Sequence, residues 1–208
     1  MSRKNYQIIV DHYQSCLDKH GDSHLGVDWP RQAEAEVRYR VMLEVVREER
    51  PDLQLLDFGC GAAHLYEYME RRGLGHLQYS GLDLGPKFVA LARRKFPEQR
   101  FFCVDILESP EQVPTFDYVV MNGVLTEKRE LAFDEMWSYT QRLLRRIFER
   151  TRLGLAFNVM SKHVDWERDD LFHLPFDLLA PFLRRELSRH YVLRADYGLY
   201  EYTAYVYR

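Results

Sequence analysis

The chain of 208 residues has the size of one domain, and its 46% apolar and 29% charged residues are typical of a globular protein rather than a disordered or fibrous one. Its 29 Lys and Arg residues are offset by 32 Asp and Glu residues, for a formal net charge of -3. This balance argues against nucleic acid binding through a large phosphate-reading surface, although it leaves room for a local basic patch.

The cysteines and the N-terminus favour a cytoplasmic protein. Cys16, Cys60 and Cys103 form neither a C-x-x-C pair nor an even-numbered disulfide framework, so we expect reduced thiols. The N-terminus has no apolar signal-peptide core, and no apolar run approaches the ~20 residues of a membrane helix, so we expect no membrane partner. The histidines and aspartates between His20 and Asp28 fix no tetrahedral or octahedral ligand set, and the sequence predicts no metal.

Hydrophobic spacing predicts helices and strands that alternate along the chain. In chain order these are helices at 5–19 and 31–49, strands at 53–58 and 77–82, a helix at 86–95, strands at 101–104 and 116–121, a helix at 133–150, a strand at 153–159, a helix at 175–187, and strands at 190–196 and 200–207. This alternation predicts an α/β fold with a doubly wound, mostly parallel sheet of seven strands. A tight turn joins the last two strands, which must therefore be antiparallel.

About 50 residues precede the first strand, and their two helices predict a helical N-terminal cap. We therefore divide the chain into a cap at residues 1–50, which is part of the same domain, and a sheet-forming region at residues 51–208.

A strand–turn–helix segment at residues 55–65 is the most informative part of the sequence. A buried strand ends at Asp57-Phe58, Gly59-Cys60-Gly61 forms the turn, and a helix follows at once. Glycines at such a turn let the backbone approach a ligand closely, and the free N–H groups of the helix start can bind it.

Two further carboxylates follow the next two strands. Asp83-Leu84 comes at the end of the second strand and Asp105-Ile106 after the third. A carboxylate at the first position can accept both hydroxyls of a ribose, and one at the second can accept the exocyclic amine of adenine. Both positions lie at carboxyl ends of parallel strands, where open α/β sheets bind ligands. Capping or a surface turn would be the ordinary structural role of each aspartate taken alone.

A nicotinamide dinucleotide is a poor match for this loop. The fingerprint G-x-G-x-x-G needs a third glycine at position 64, where this chain has His64. The acid in the first strand, Asp57, also suits a ligand with an amino group better than a pyrophosphate.

Taken together, Asp57-Phe58-Gly59-Cys60-Gly61, Asp83, Asp105-Ile106 and the run 116–125 resemble the class I S-adenosylmethionine-dependent methyltransferases. Order and spacing agree over about residues 53–208, and the closing hairpin is similar to that family's Rossmann-like sheet, in which the last strand is inserted antiparallel. The resemblance implies S-adenosyl-L-methionine as cofactor. The residues that it places at the cofactor are Asp57, Phe58, Gly59, Cys60, Gly61, Asp83, Leu84, Asp105, Ile106, Asn122 and Gly123.

The same resemblance implies more specific roles for some of these residues. Gly59 and Gly61 would line the methionine part, Asp83 would hold the ribose, and Asp105 with Ile106 would hold the adenine. Asn122 would lie near the transferring methyl group. Many small-molecule members have a histidine a few residues after the fourth strand, whereas this chain has the run 125–128, Leu-Thr-Glu-Lys.

The acceptor side of the site should come from loops. The loop that follows the fifth strand is long and rich in polar and aromatic residues, which is typical of functional loops. His163 is a candidate general base that Asp165 would orient, because an unperturbed imidazole titrates near neutrality. We place Asn158, Ser161, Trp166 and His173 at the substrate; a solvated loop with one packed aromatic side chain is the alternative.

The N-terminal segment supplies two further candidates. The turn-rich stretch 20–30 reads as a lid, with Trp29 at the substrate, and Arg38 could pair with the carboxylate of the cofactor. Plain helix packing and a surface charge are the alternatives.

We therefore predict an enzyme that transfers a methyl group to an oxygen or nitrogen of a small polar metabolite, of a sugar or sugar-nucleotide type. Two alternatives stay open, namely a macromolecular methyltransferase acting on RNA or protein, and a non-catalytic cofactor-binding subunit. The sequence does not fix the oligomeric state, and a homodimer is among the options.

Overall fold

The computed structural model describes residues 6–208. Residues 1–5 lie outside the described residues. They include Asn5, the first residue of the first predicted helix, and the start of the segment that we expect to lack a signal peptide. In chain order the elements are α1 (Gln7–His20), α2 (Gln32–Leu43), β1 (Leu53–Phe58), α3 (His64–Arg71), β2 (Leu77–Leu82), α4 (Pro86–Lys95), β3 (Arg100–Phe102), β4 (Phe116–Met121), α5 (Phe133–Glu149), β5 (Thr151–Ser161), β6 (His173–Leu174), α6 (Phe176–Phe182), β7 (Tyr191–Arg194) and β8 (Glu201–Tyr207).

One mixed sheet organises the molecule, with the strand order β3-β2-β1-β4-β5-β8-β7. The first five strands of this order are parallel, whereas β8 is antiparallel to both β5 and β7. The predicted doubly wound sheet with an antiparallel C-terminal strand is thus confirmed. β6, which pairs with β5, was not predicted from the sequence. A strand of two residues is too short to show a hydrophobic periodicity.

Two predicted helices differ from the observed ones at their C-termini. α2 ends at Leu43 rather than 49, because Val45 and Val46 donate to carbonyls three residues back and tighten the last turn. The predicted helix 175–187 divides into α6 and a π-helical turn at Leu183–Leu187. Pro181 lacks a backbone N–H and interrupts the hydrogen bonding of α6.

Apolar clusters cover both faces of the sheet, so the fold has three layers. On one face α1, α5 and α6 contribute Ile9, Met136 and Leu179. On the other face α2 and α3 contribute Met42 and Met69. α2 therefore packs as one of the flanking helices of the sheet. Within residues 6–208, no helix is long and apolar enough to cross a membrane.

Candidate active site

The turn after β1 depends on two glycines in the left-handed region. Gly59 has φ 78° and Gly61 has φ 51°. A Cβ atom on Gly59 would lie 2.4 Å from Val124 Cγ2, in the loop that follows β4. Only glycine fits this close approach without strain, so the turn brings bare backbone to the carboxyl end of the sheet.

The carboxylate of Asp83 fixes the glycine turn to the end of β2. Its Oδ2 accepts a hydrogen bond from the Gly61 N–H at 2.9 Å, and its Oδ1 accepts one from the Gly85 N–H at 2.7 Å. Burial nevertheless raises the pKa of Asp83, an effect that these two hydrogen bonds oppose. The carboxylate is therefore desolvated and rigidly oriented at the position predicted for a ribose.

Asp57, at the end of β1, is buried near Asp83. The Tyr79 hydroxyl donates to Asp57 Oδ2 at 2.8 Å. Burial, with a smaller contribution from the charge of Asp83, raises the pKa of Asp57 to about 7, although the Tyr79 hydrogen bond lowers it. A cationic group of a ligand would favour the ionised form of this carboxyl group.

A cleft that is open to solvent lies above these residues. We call it the first cleft. It is lined by Tyr6, Ile9, Val10, Tyr13, Val27, Trp29, Tyr39, Asp57, Phe58, Gly59, Cys60, Gly61, His64, Leu65, Leu82, Asp83, Leu84, Gly85, Phe88, Asn122, Gly123, Val124 and Tyr139. Nine of the residues that the sequence predicts at the cofactor thus meet in one place, and α1 covers them from above.

Tyr6, the residue before α1, lies at the predicted adenine position. The Tyr6 hydroxyl donates to Asp105 Oδ2 at 2.6 Å, and the Tyr6 ring stacks on Tyr139 at 4.8 Å between centroids. Tyr6 and Tyr139 line the first cleft, whereas Asp105 and the buried Ile106 are not among its lining residues. Tyr6 thus lies between Asp105 and the first cleft.

A second cleft adjoins the first and shares Tyr13 and Trp29 with it. It is lined by Tyr13, Asp28, Trp29, Pro30, Arg31, Glu34, Arg38, Thr126, Glu127, Met160, Val164, Asp165, Trp166, Arg168, Leu171, His173, Gly198, Leu199, Tyr200 and Glu201. The candidate substrate residues Trp29, Trp166 and His173 meet here. Arg38, which the sequence reasoning assigned to the cofactor, lines this cleft instead of the first.

A buried chain of hydrogen bonds connects the two clefts. The Gly123 N–H donates to Asn158 Oδ1 at 2.8 Å, Asn158 Nδ2 donates to Glu201 Oε1 at 2.8 Å, and Arg38 Nε donates to Glu201 Oε2 at 2.8 Å. Arg38 also lies over the Trp29 ring at 4.3 Å from its centroid. Within the described part of the chain, the buried Arg38 Nη1 has no hydrogen-bond partner and lies 3.8 Å from Glu34 Oε2.

His163, the predicted general base, does not line either cleft. His163 is exposed, stacks on Phe176 at 5.3 Å, and lies outside the residues that line the two clefts. Asp165 is exposed at the second cleft, so the two do not share a cleft wall. The buried Ser161 holds the loop by accepting the His163 backbone N–H.

His173 lies in the second cleft but has no ring nitrogen to spare. Nδ1 donates to the Ser161 carbonyl at 2.7 Å, and Nε2 accepts the Arg168 backbone N–H at 3.2 Å. Both nitrogens thus serve backbone partners, and we assign His173 a role in shaping the cleft.

The sequence reasoning missed a cluster of polar residues between α1 and the loop after β4. His12 Nε2 lies 2.8 Å from Asp28 Oδ2 and 3.6 Å from Glu127 Oε2. Burial and the neighbouring Asp28 raise the pKa of Glu127 to about 8, and burial raises the pKa of Tyr13. The spacing of His12 and Cys16, one turn apart on a helix, is the local signal that could have indicated it.

The fold and the glycine turn agree with comparisons to known proteins. Residues 55–146 match a family model described as a methyltransferase domain. A Mycobacterium tuberculosis protein that is named as a methyltransferase, Rv1506c, is 28% identical over 155 residues, which is 72% of this chain and 90% of that protein.

Solved structures of low sequence identity share the fold. The magnesium protoporphyrin IX methyltransferase of Synechocystis PCC 6803, solved with bound S-adenosylmethionine, superposes with a TM-score of 0.68 at 14% identity, covering 100% of this chain and 98% of that one. The plantazolicin methyltransferase BamL superposes with a TM-score of 0.66 at 10% identity, covering 99% of each chain.

These matches and the sheet order show that residues 55–146 resemble a methyltransferase domain and that the chain has the fold of the class I S-adenosylmethionine-dependent methyltransferases. S-adenosyl-L-methionine is the cofactor bound in the Synechocystis structure. The residues of the first cleft fit this cofactor: the backbone at Gly59 and Gly61 is bare, and a desolvated carboxylate stands at the end of each of the first two strands.

Proposed function

We propose that the first cleft holds S-adenosylmethionine and that the second cleft holds the methyl acceptor. S-adenosylmethionine supplies a methyl group activated by the positive charge of its sulfur. Asp57 would balance the amino group of its methionine part, Gly59 and Gly61 would let that part approach the backbone, and Asp83 would hold the ribose. Asp105 and Ile106 would hold the adenine end, behind Tyr6.

The shared wall of the two clefts is the observation that carries the proposal. Tyr13 and Trp29 line both clefts, and Asn122 and Gly123 face the first cleft at the end of β4. An acceptor in the second cleft would therefore meet the methyl group beside Asn122, with the aromatic side chains excluding water. Holding the two reactants in line is the main task of the protein, since the methyl group is already activated.

We further propose that the acceptor is a small polar metabolite of a sugar or sugar-nucleotide type, methylated on oxygen or nitrogen. The second cleft combines aromatic walls with charged groups, a lining suited to polar ligands with apolar faces. Arg38 Nη1 is a buried donor available to a hydroxyl or carbonyl oxygen of such an acceptor.

The proposal can be tested by finding the acceptor. The protein is incubated with methyl-labelled cofactor and, separately, with sugar nucleotides, a polar metabolite extract, RNA and protein extract. We expect label in a low-molecular-weight product that mass spectrometry identifies. Label only in RNA or protein would contradict the small-molecule assignment, and no labelled product from any fraction would contradict the assignment of the second cleft.

The Arg38→Gln/Glu201→Gln double variant tests the second cleft directly. It removes both charges of a buried pair together, so that no unpaired buried charge remains. We expect the KM for the acceptor to rise about tenfold, as for the loss of one hydrogen bond to a charged group. The Kd for S-adenosylmethionine should stay unchanged.

The matched control is Arg146→Gln/Glu149→Gln, which removes an exposed ion pair on α5, outside the lining of both clefts. It should change neither the KM for the acceptor nor the Kd for S-adenosylmethionine. An unchanged acceptor KM in the first variant, or an equal loss of cofactor affinity, would show that Arg38 does not contact the acceptor.

A further inference from the structure

Four metal-ligating side chains converge where α1 meets the loop after β4. His12 and Cys16 lie one turn apart on α1, Asp28 precedes α2, and Glu127 follows β4. One ligand atom each from His12, Cys16 and Asp28 lies within 4.8 Å of the others. Glu127 lies outside this group of three, but it is buried and its Oε2 lies 3.6 Å from the same imidazole. Three separate parts of the chain thus supply this cluster.

The three distances from His12 Nε2 to the other ligand atoms are close to those of a tetrahedral site. Zinc bonds of ~2.0 Å to nitrogen and oxygen and ~2.3 Å to sulfur place neighbouring ligands about 3.3 to 3.7 Å apart. Cys16 Sγ lies 3.7 Å and Glu127 Oε2 lies 3.6 Å from His12 Nε2. The Asp28 oxygen, at 2.8 Å from the same nitrogen, would need to move away by only about half an ångström.

The charges around the cluster leave room for a divalent cation. Asp28, Glu127 and Asp170 bring three carboxylates together, and Arg129 and Arg168 bring two guanidinium groups. Arg129 Nη1 lies 3.4 Å from Glu127 Oε2 and equally far from Asp170 Oδ2, so one positive charge serves two carboxylates. With Cys16 bound as a thiolate, four negative charges would face two guanidinium groups and one divalent cation, and the cluster would be neutral.

We propose that His12, Cys16, Asp28 and Glu127 form a tetrahedral site for a transition-metal dication, with zinc as the ion that the donor set favours. A nitrogen, a sulfur and two carboxylate oxygens suit zinc better than magnesium or calcium, which prefer oxygen alone. Four protein ligands leave no open position, so the metal is structural. It ties α1, which covers the first cleft, to the loop after β4.

The test uses the full chain, stripped with a chelator and titrated with Co²⁺, whose absorption reports geometry and sulfur ligation. We expect one equivalent to bind, with visible bands of tetrahedral Co²⁺ and a near-ultraviolet thiolate-to-cobalt band. Zn²⁺ should displace the Co²⁺ and raise the Tm. These readouts are independent of methyl transfer, so they can fail while the proposed function holds.

Single-residue variants assign the ligands. Cys16→Ser should lose the thiolate band, and His12→Gln should weaken Co²⁺ binding by at least the roughly tenfold that the loss of a supporting group costs. Cys103→Ser and His20→Gln, which change exposed residues outside the cluster, should bind like the parent.

Circular dichroism of each metal-free variant checks that it is folded. Should His12→Gln not fold, Cys16→Ser and Cys103→Ser decide the matter alone. The proposal is overturned if the parent shows no thiolate band, if the visible bands are those of octahedral Co²⁺, or if the thiolate band survives Cys16→Ser.

Discussion

Asp57 is a buried carboxyl group whose ionised form is destabilised by its surroundings. Its side chain is enclosed at the end of β1, and the Tyr79 hydroxyl partly compensates for the lost water. Burial therefore favours the neutral form. The sequence indicated the position of this acid, but its altered pKa follows from neighbours that β2 supplies.

The stability of the protein should depend on pH through Asp57. Its pKa is about 7 in the folded chain against 3.8 in an unfolded one, so the folded state binds more protons between these values. The free energy of unfolding should therefore fall as pH rises from about 4 to 7, by up to about 4 kcal/mol. Urea unfolding of Asp57→Asn across this range should show a flatter profile than the parent.

The matched control for this experiment is Asp169→Asn, an exposed aspartate in the loop after β5. Its profile should follow that of the parent. If Asp57→Asn keeps the full slope of the parent, burial of Asp57 does not control the pH dependence.

At the scale of elements, the end of β4 is held by side chains from β5 and β8. Asn158 on β5 accepts the Gly123 N–H and donates to Glu201 on β8, and both side chains are fully buried. Trp29 packs against Gly123 so closely that a Cβ there would lie 2.8 Å from its ring. The antiparallel β8 therefore positions the loop between the two clefts as well as completing the sheet.

Replacing Asn158 by leucine should destabilise this junction. The change leaves the Gly123 N–H without its acceptor and the Glu201 carboxylate with one hydrogen bond fewer, both away from water. We expect a loss of about 2 to 4 kcal/mol in the free energy of unfolding, measured with urea.

Gln78→Leu, at an exposed position on β2, is the control for this change and should have little effect. Equal stability of the two variants would mean that the chain through Asn158 contributes nothing to the junction.

At the scale of the whole molecule, α1 and the sheet close the first cleft from opposite sides. Ile9 and Tyr13 line it from α1, Tyr6 lines it from the position just before α1, and the glycine turn lines it from the end of β1. A ligand in this cleft contacts both, so its binding should slow local opening of α1.

Hydrogen exchange with and without S-adenosylhomocysteine measures this coupling. Amides of α1 should exchange several-fold more slowly in the complex, while those of α6, away from both clefts, should be unchanged. Identical exchange of α1 in the two states would show that it does not cover the bound ligand.

Local patterns in the sequence determined the order of the elements, the mostly parallel sheet and the glycine turn with its acids. Periodicity and turn chemistry act over a few residues, and parallel strands bring their carboxyl ends to one edge, so Asp57 and Asp83 could be placed without a structure. The same reasoning placed Arg38 at the cofactor and His163 at the chemistry, because a residue type shows what a side chain can do but not which neighbours it meets.

Only the tertiary structure decided the contacts between distant parts of the chain. Arg38 pairs with Glu201 across 163 positions, and Tyr6 reaches Asp105 across 99. Such contacts depend on how α1 and α2 dock on the sheet, which is set by the packing of both faces at once. The second cleft and the cluster around His12 form at this docking, so the proposed acceptor site is a property of the fold rather than of any one segment.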